Sequence, residues 1–201
     1  CMSRGVRTLR ITGGEPTLYP ELDELILEAG AMGLDDMAMT TNGWAVDGER
    51  ARRWLDSGLR RLTFSLDTLR EDRMKEITRS RTSVKQVLRS IEVAREAGFP
   101  RPKLNMVVMR DVNEDEVVDF AQLARDRDLD VRFIEFMPLG SARDWTSKDV
   151  HTARETRAAI ESRWSLRPFD GDHAHSTSVN WTFAVGADGK LGFIAPVSQP
   201  F

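Results

Sequence analysis

Apolar and polar residues alternate with a period of two in a series of short stretches, and with a helical period between them. Leu9 and Ile11 alternate with Arg10 and Thr12, which predicts a strand with two unlike faces, ended by Gly13-Gly14 and stiffened by Pro16. Further strands are predicted at Met37-Ala38-Met39-Thr40-Thr41-Asn42-Gly43, Arg61-Leu62-Thr63-Phe64-Ser65-Leu66-Asp67, Lys103-Leu104-Asn105-Met106-Val107-Val108 and residues 131–136. Between them, Leu22, Leu25, Ile26 and Ala29 fall at helical spacing after Pro20 and before Gly33. Helices are also predicted over 49–55 and 71–77, and from Ser83 to Gly98 with capping-box spacing at Ser83 and Gln86. Another carries Val117, Phe120, Ala121 and Ala124 on one face, with Asn113 and Glu116 as its cap.

Strand and helix thus alternate with short connections, which demands parallel strands with helices packed outside. The pattern changes after Ser141. A helix over 152–164 precedes two strands, 180–185 and 190–194, joined through Gly186-Ala187-Asp188-Gly189 as a hairpin. A boundary is placed near Arg143, giving a core over 1–143 and a small α+β extension over 144–201.

A strand buried on both faces should be almost wholly apolar. Several of these strands are not, because Arg10, Thr12, Thr63, Ser65, Lys103 and Asn105 alternate with the apolar positions. A buried charge without a partner costs several kcal/mol, so Arg10 and Lys103 need an anion, a carboxylate or water. A parallel barrel, complete or partial, with a polar ligand in its mouth meets that need. The motifs at Gly13-Gly14, Thr41-Asn42, Ser65-Leu66-Asp67 and Met137-Pro138 fall at the carboxyl ends of the strands, where such folds bind ligands. Two cations suit a phosphorylated or carboxylated ligand, and internal ion pairs with Glu15 or Glu135 are the plainer alternative. Thr41 and Ser65 offer hydroxyls, and Met137 suits the face of an adenine or fills the core.

Composition narrows the partners. The 201 residues carry 29 Lys+Arg against 32 Asp+Glu, a net charge of -3, which argues against a general nucleic-acid binder. No apolar run approaches the ~20 residues of a membrane span, so no membrane partner is expected. A single cysteine allows no internal disulfide and fits a reducing cytoplasm, and it cannot by itself hold a cysteine-ligated cluster. The polar run Asp170-Gly171-Asp172-His173-Ala174-His175 reads as a loop, since no second ligand group supports a metal site. The abrupt start at Cys1 and the end at Phe201 suggest a segment of something longer.

The ordered set Ile11-Thr12-Gly13-Gly14-Glu15-Pro16, Thr40-Thr41-Asn42-Gly43, Ser65-Leu66-Asp67, Lys103-Leu104-Asn105, Arg132-Phe133-Ile134-Glu135-Phe136-Met137-Pro138-Leu139-Gly140 and Gly192-Phe193-Ile194-Ala195-Pro196 resembles a known family. It is similar to the GTP 3',8-cyclases of molybdenum cofactor biosynthesis, which are radical S-adenosylmethionine (SAM) enzymes. The resemblance implies an α/β fold with a partial parallel (β/α) barrel of the radical SAM type. It implies two [4Fe-4S] clusters, whose cysteines would lie before and after this segment, so the segment alone is expected to be inactive. It implies SAM at Gly14, Ser65 and Met137, and GTP at Arg10, Thr41 and Lys103. The implied reaction takes hydrogen from C3' of the GTP ribose and joins that carbon to C8 of guanine. A non-catalytic nucleotide-binding module, a different radical SAM enzyme and an aldolase-like barrel using Lys103 as a Schiff-base amine are the alternatives. If a strand is missing before Thr8, the edge of the first strand is open, which favours association and a homodimer.

Overall fold

The computed structural model describes residues 5–78, 82–137, 150–171 and 177–199. The boundary near Arg143, the motif's end Pro138-Leu139-Gly140, positions 172–175 of the polar loop, and both chain ends lie outside the described residues. In chain order the elements are β1 (Thr8–Ile11), α1 (Leu22–Ala31), β2 (Asp36–Thr41), α2 (Gly48–Asp56), β3 (Arg61–Ser65), α3 (Glu71–Ile77) and α4 (Val84–Ala97). Then come β4 (Lys103–Val108), α5 (Val117–Arg127), β5 (Asp130–Glu135), α6 (Ala153–Glu161), β6 (Leu166–Pro168), β7 (Val179–Phe183) and β8 (Lys190–Ile194). The chain forms two compact units, one of Cys1–Leu66 with Met74–Lys103 and one of Asp67–Arg73 with Leu104–Phe201.

In the first unit β1, β2 and β3 run parallel, with Ile11 beside Met39 and Met39 beside Leu62. That register lines Met37, Met39, Leu62 and Phe64 up on one face, and all four are buried. Burying a side chain such as Phe64 stabilises by roughly 1.5–3 kcal/mol. Ala38, between Arg10 and Arg61, belongs to the other face. Trp54 of α2 is buried, and its indole N–H donates to Asp23 of α1 at 2.7 Å, which also accepts from Arg50 at 2.9 Å. Burial works to raise the Asp23 carboxyl, but the donors Trp54 and Arg50 outweigh it and hold the pKa below its usual range. The two helices approach closely because Gly30 has no Cβ; one placed there would sit 1.8 Å from the Ser57 carbonyl oxygen. The α4 boundaries follow the local signals: Ser83 accepts from the Gln86 amide at 3.1 Å, and Gly98 ends the helix at φ 110°.

In the second unit the strands follow the order β4-β5-β8-β7-β6. The expected hairpin forms, with Thr182 opposite Lys190. It does not stand apart, for β8 lies parallel to β5 with Phe133 beside Phe193, their rings stacked at 5.7 Å. The three-residue β6 pairs antiparallel with β7 and was not signalled, being too short to alternate.

The cap expected from Asn113 and Glu116 is not what forms. Asn113 instead donates to the carbonyls of Asp67 and Val107, at 2.7 and 2.9 Å, and accepts from the Met109 amide at 2.7 Å. Glu116 is fully buried and accepts from the Thr68 hydroxyl, the Leu69 amide and Arg73, at 2.7, 2.6 and 2.5 Å. Satisfying a buried carboxylate outweighs the modest gain of a helix cap. No described helix is long and apolar enough to cross a membrane.

Candidate functional site

Parallel β1, β2 and β3 bring their carboxyl ends to one edge of the first unit. After β1 the chain turns through Gly13, at φ 148°, where an L-residue is strained, and through exposed Gly14. A Cβ built on Gly14 meets none of the described residues within 4 Å, so among them the peptide groups there are open to a ligand.

Glu15 is the organiser of this edge. Its Oε1 accepts from the Thr17 amide at 3.0 Å, the Thr17 hydroxyl at 2.6 Å and the Thr41 hydroxyl at 2.6 Å. Its Oε2 accepts from the Asn42 amide at 2.6 Å. One carboxylate therefore joins the turn after β1 to the end of β2. The second turn is fixed further back: Gly43 donates its N–H to the Thr41 hydroxyl oxygen at 3.0 Å, and its carbonyl accepts from Ser90 of α4 at 2.7 Å. Glutamate is not among the preferred N-cap residues, so its role at the start of the turn Pro16–Leu18 carries little local signal.

The expected site residues fall out as follows. Arg10 is exposed on the polar face of β1, so the cost of burying a charge does not bear on it. The register places it in one row with Ala38 and Arg61, and Arg61 is held by a close two-pronged pair with Asp36. Ser65, half-buried, ends β3 on that same polar face. Thr41 is only 2% exposed and shares a face with Met37 and Met39 instead, its hydroxyl engaged by Glu15 and Gly43. Lys103 is half-buried at the start of β4. Met137, in the second unit, is 44% exposed.

Within the second unit, Asp67 accepts from the Val107 amide at 2.8 Å. Burial pushes its carboxyl pKa up, and the Val107 N–H partly opposes that. Asp67 lay inside a motif singled out from the sequence, but its partner is 40 residues away and gave no local sign.

A four-iron cluster needs several cysteine thiolates. The chain has one cysteine, and no group of three His, Cys, Asp or Glu side chains among the described residues could hold a metal ion. The residues present do not fit an iron–sulfur cluster. The open Gly13-Gly14 turn does fit a small polar ligand reaching bare peptide groups.

Residues 2–124 match the radical SAM superfamily, and residues 129–201 match the molybdenum cofactor synthesis C family. The chain is 41% identical over 198 residues to a GTP 3',8-cyclase of Xanthomonas campestris, covering 98% of this chain and 58% of that protein. It is 42% identical to GTP 3',8-cyclase 2 of Pseudomonas aeruginosa, covering 98% and 59%. The chain thus spans less than two thirds of the length of these relatives. Among solved structures, a domain of a pyruvate-formate lyase-activating enzyme from Bacteroides vulgatus superposes with a TM-score of 0.56 at 17% identity, covering 76% of this chain and 89% of that one. Coproporphyrinogen III oxidase from Escherichia coli, a radical SAM enzyme, gives 0.57 at 12% identity over 78% of this chain and 38% of that one. These likenesses establish the fold, an α/β arrangement with a mostly parallel, unclosed sheet, the partial barrel expected from the sequence. By the match over residues 2–124 the chain belongs to the radical SAM superfamily.

Proposed function

We propose that this chain is the central part of a GTP 3',8-cyclase, which converts GTP to 3',8-cyclo-7,8-dihydro-GTP in the first step of molybdenum cofactor biosynthesis. The observation that carries the reading is identity of about 40% to proteins of that name along 98% of the chain. In this reading residues 1–143 form the barrel core and 144–201 its extension.

Gly14, Ser65 and Met137 are the SAM contacts, and Arg10, Thr41 and Lys103 the GTP contacts. Arg10 offers an exposed planar guanidinium suited to two-pronged binding of phosphate, and Lys103 offers a point charge. For Thr41 to donate to a ligand its hydroxyl must turn from Glu15, whereas to accept it need not, since the oxygen has a second lone pair beyond the one that takes the Gly43 amide. Glu15 holds the turns that carry Gly14 and Asn42, so the open backbone is preorganised before a ligand arrives. SAM, when bound and reductively cleaved, supplies the radical chemistry, and the protein orients the two ligands and keeps water out. The iron–sulfur ligands are not in this segment, so the segment alone is inactive. The protein works in the cytoplasm as a homodimer, a reading supported by β1, which among the described residues pairs on one side only, to β2.

The test is anaerobic reconstitution of the intact protein with iron and sulfide, followed by an assay of GTP conversion. Formation of the cyclised product supports the reading, and absence of both SAM cleavage and product with iron fully loaded refutes it. Binding of GTP without any SAM cleavage would favour the nucleotide-binding module, a reading kept because the chain holds one cysteine.

A further inference from the structure

Glu135 closes β5 and is only 2% exposed. A carboxylate so placed must be supplied with donors. Among the described residues four donors serve it, and all are uncharged. The Ala153 amide donates to Oε1 at 2.8 Å, and the Ser198 hydroxyl makes a close contact with the same oxygen. The amides of Val197 and Ser198 donate to Oε2 at 3.1 and 2.9 Å.

These donors come from two places distant in sequence. Ala153 is the first residue of α6, and its N–H is one of the orphans that a helix start leaves. The capping box of Thr152 and Glu155 serves other donors, the amides of Glu155 and Thr152. Val197 and Ser198 lie in a turn closed by the Gln199 amide donating to the Ala195 carbonyl at 3.1 Å. Successive amides in a turn make a small anion-binding concavity, and the Glu135 carboxylate occupies it. The side chain that ends β5 therefore ties down a helix start and a turn more than 60 residues further on.

We infer that Glu135 is a positioning residue: it clamps the first turn of α6 and the turn 195–199 to the end of β5, and so fixes the exit of β5 on which Met137 stands. The inference rests on the reading that Met137 contacts SAM. A carboxylate serving only as structural filler would affect stability without affecting SAM.

The test uses the intact protein with Glu135→Gln, which keeps the size but turns an NH2 group toward N–H donors. Amide exchange at Ala153, Val197 and Ser198 should accelerate about tenfold or more, as expected when a hydrogen bond to a charged group is lost. The SAM dissociation constant should rise by about tenfold while that for GTP stays within about twofold, a difference of roughly 1.4 kcal/mol on one ligand alone. Ser198→Ala, which removes one hydroxyl, should move both readouts the same way by less, and it serves if Glu135→Gln does not fold. Unchanged exchange in the variants overturns the clamp. Faster exchange with unaltered SAM affinity overturns the positioning role. Failure of the unsubstituted protein to bind SAM defeats the assignment of Met137 instead, and the exchange measurement then decides the clamp by itself.

Discussion

Thr41→Val replaces a hydroxyl by a methyl of nearly the same shape at a site 2% exposed. Two bonds go with it: the 2.6 Å donation to Glu15 and the 3.0 Å acceptance from the Gly43 amide. A hydrogen bond to a charged group contributes about 1.5–3 kcal/mol, and a buried N–H left without a partner costs about 1–3 kcal/mol. Val is favoured in strands, which returns at most about 1 kcal/mol. The net loss should be about 2–4 kcal/mol, or a fall of roughly 5–15 °C in Tm for a chain of this length. Urea unfolding followed by circular dichroism measures it, with Thr41→Ser as the variant that keeps the hydroxyl and most of the stability. A double-mutant cycle with Glu15→Gln should give a coupling of about 1–2 kcal/mol. A loss below about 0.5 kcal/mol, or strict additivity in the cycle, would refute the claim that Glu15 and Thr41 hold the two turns together. The same variants address the ligand: if Thr41 contacts GTP, Ser retains affinity and Val loses it.

Two further outcomes follow from packing and charge. Gly30→Ala gains up to about 1 kcal/mol of helix propensity but sets a Cβ 1.8 Å from the Ser57 carbonyl oxygen, so it should destabilise by about 1–3 kcal/mol net; a higher urea midpoint would contradict the close approach of α1 and α2. The Glu155 carboxyl is raised by burial but brought down more strongly by hydrogen bonds from Thr152 and Arg110, to about 2. A depressed carboxyl contributes stability above its unfolded value of about 4.5 and loses it as pH falls toward about 2, so Glu155→Gln should flatten the acid arm of a stability–pH profile over that window. An acid arm as steep as that of the unsubstituted chain would count against the Arg110–Glu155–Thr152 arrangement.

What the sequence announced, it announced locally. The spans of α3 and α4 and the span of β4 follow from spacing, a serine cap and a terminal glycine, all within a few residues. Alternation alone separates Arg10 and Ser65 from the apolar face of their strands, but the burial expected of Arg10 does not occur, for it is exposed. What remained hidden depends on partners far along the chain. Asn113 and Glu116 have the spacing of a cap, yet Asp67, Thr68, Leu69 and Arg73 take their side chains. Thr41 is a small polar residue in a strand, and its buried hydroxyl is satisfied by Glu15 from the turn after β1 together with the nearby Gly43 amide. Glu15 and Glu135 each serve amides from several segments, and an acceptor with scattered donors leaves no periodic trace.

The parallel pairing of β8 with β5 sets an order on synthesis. A ribosome delivers β5 some sixty residues before β8, so the growing chain carries an uncovered hydrogen-bonding edge on β5 until β8 emerges. Nascent chains halted before residue 190 should therefore recruit holding chaperones or self-associate, whereas synthesis carried beyond β8 should end that exposure.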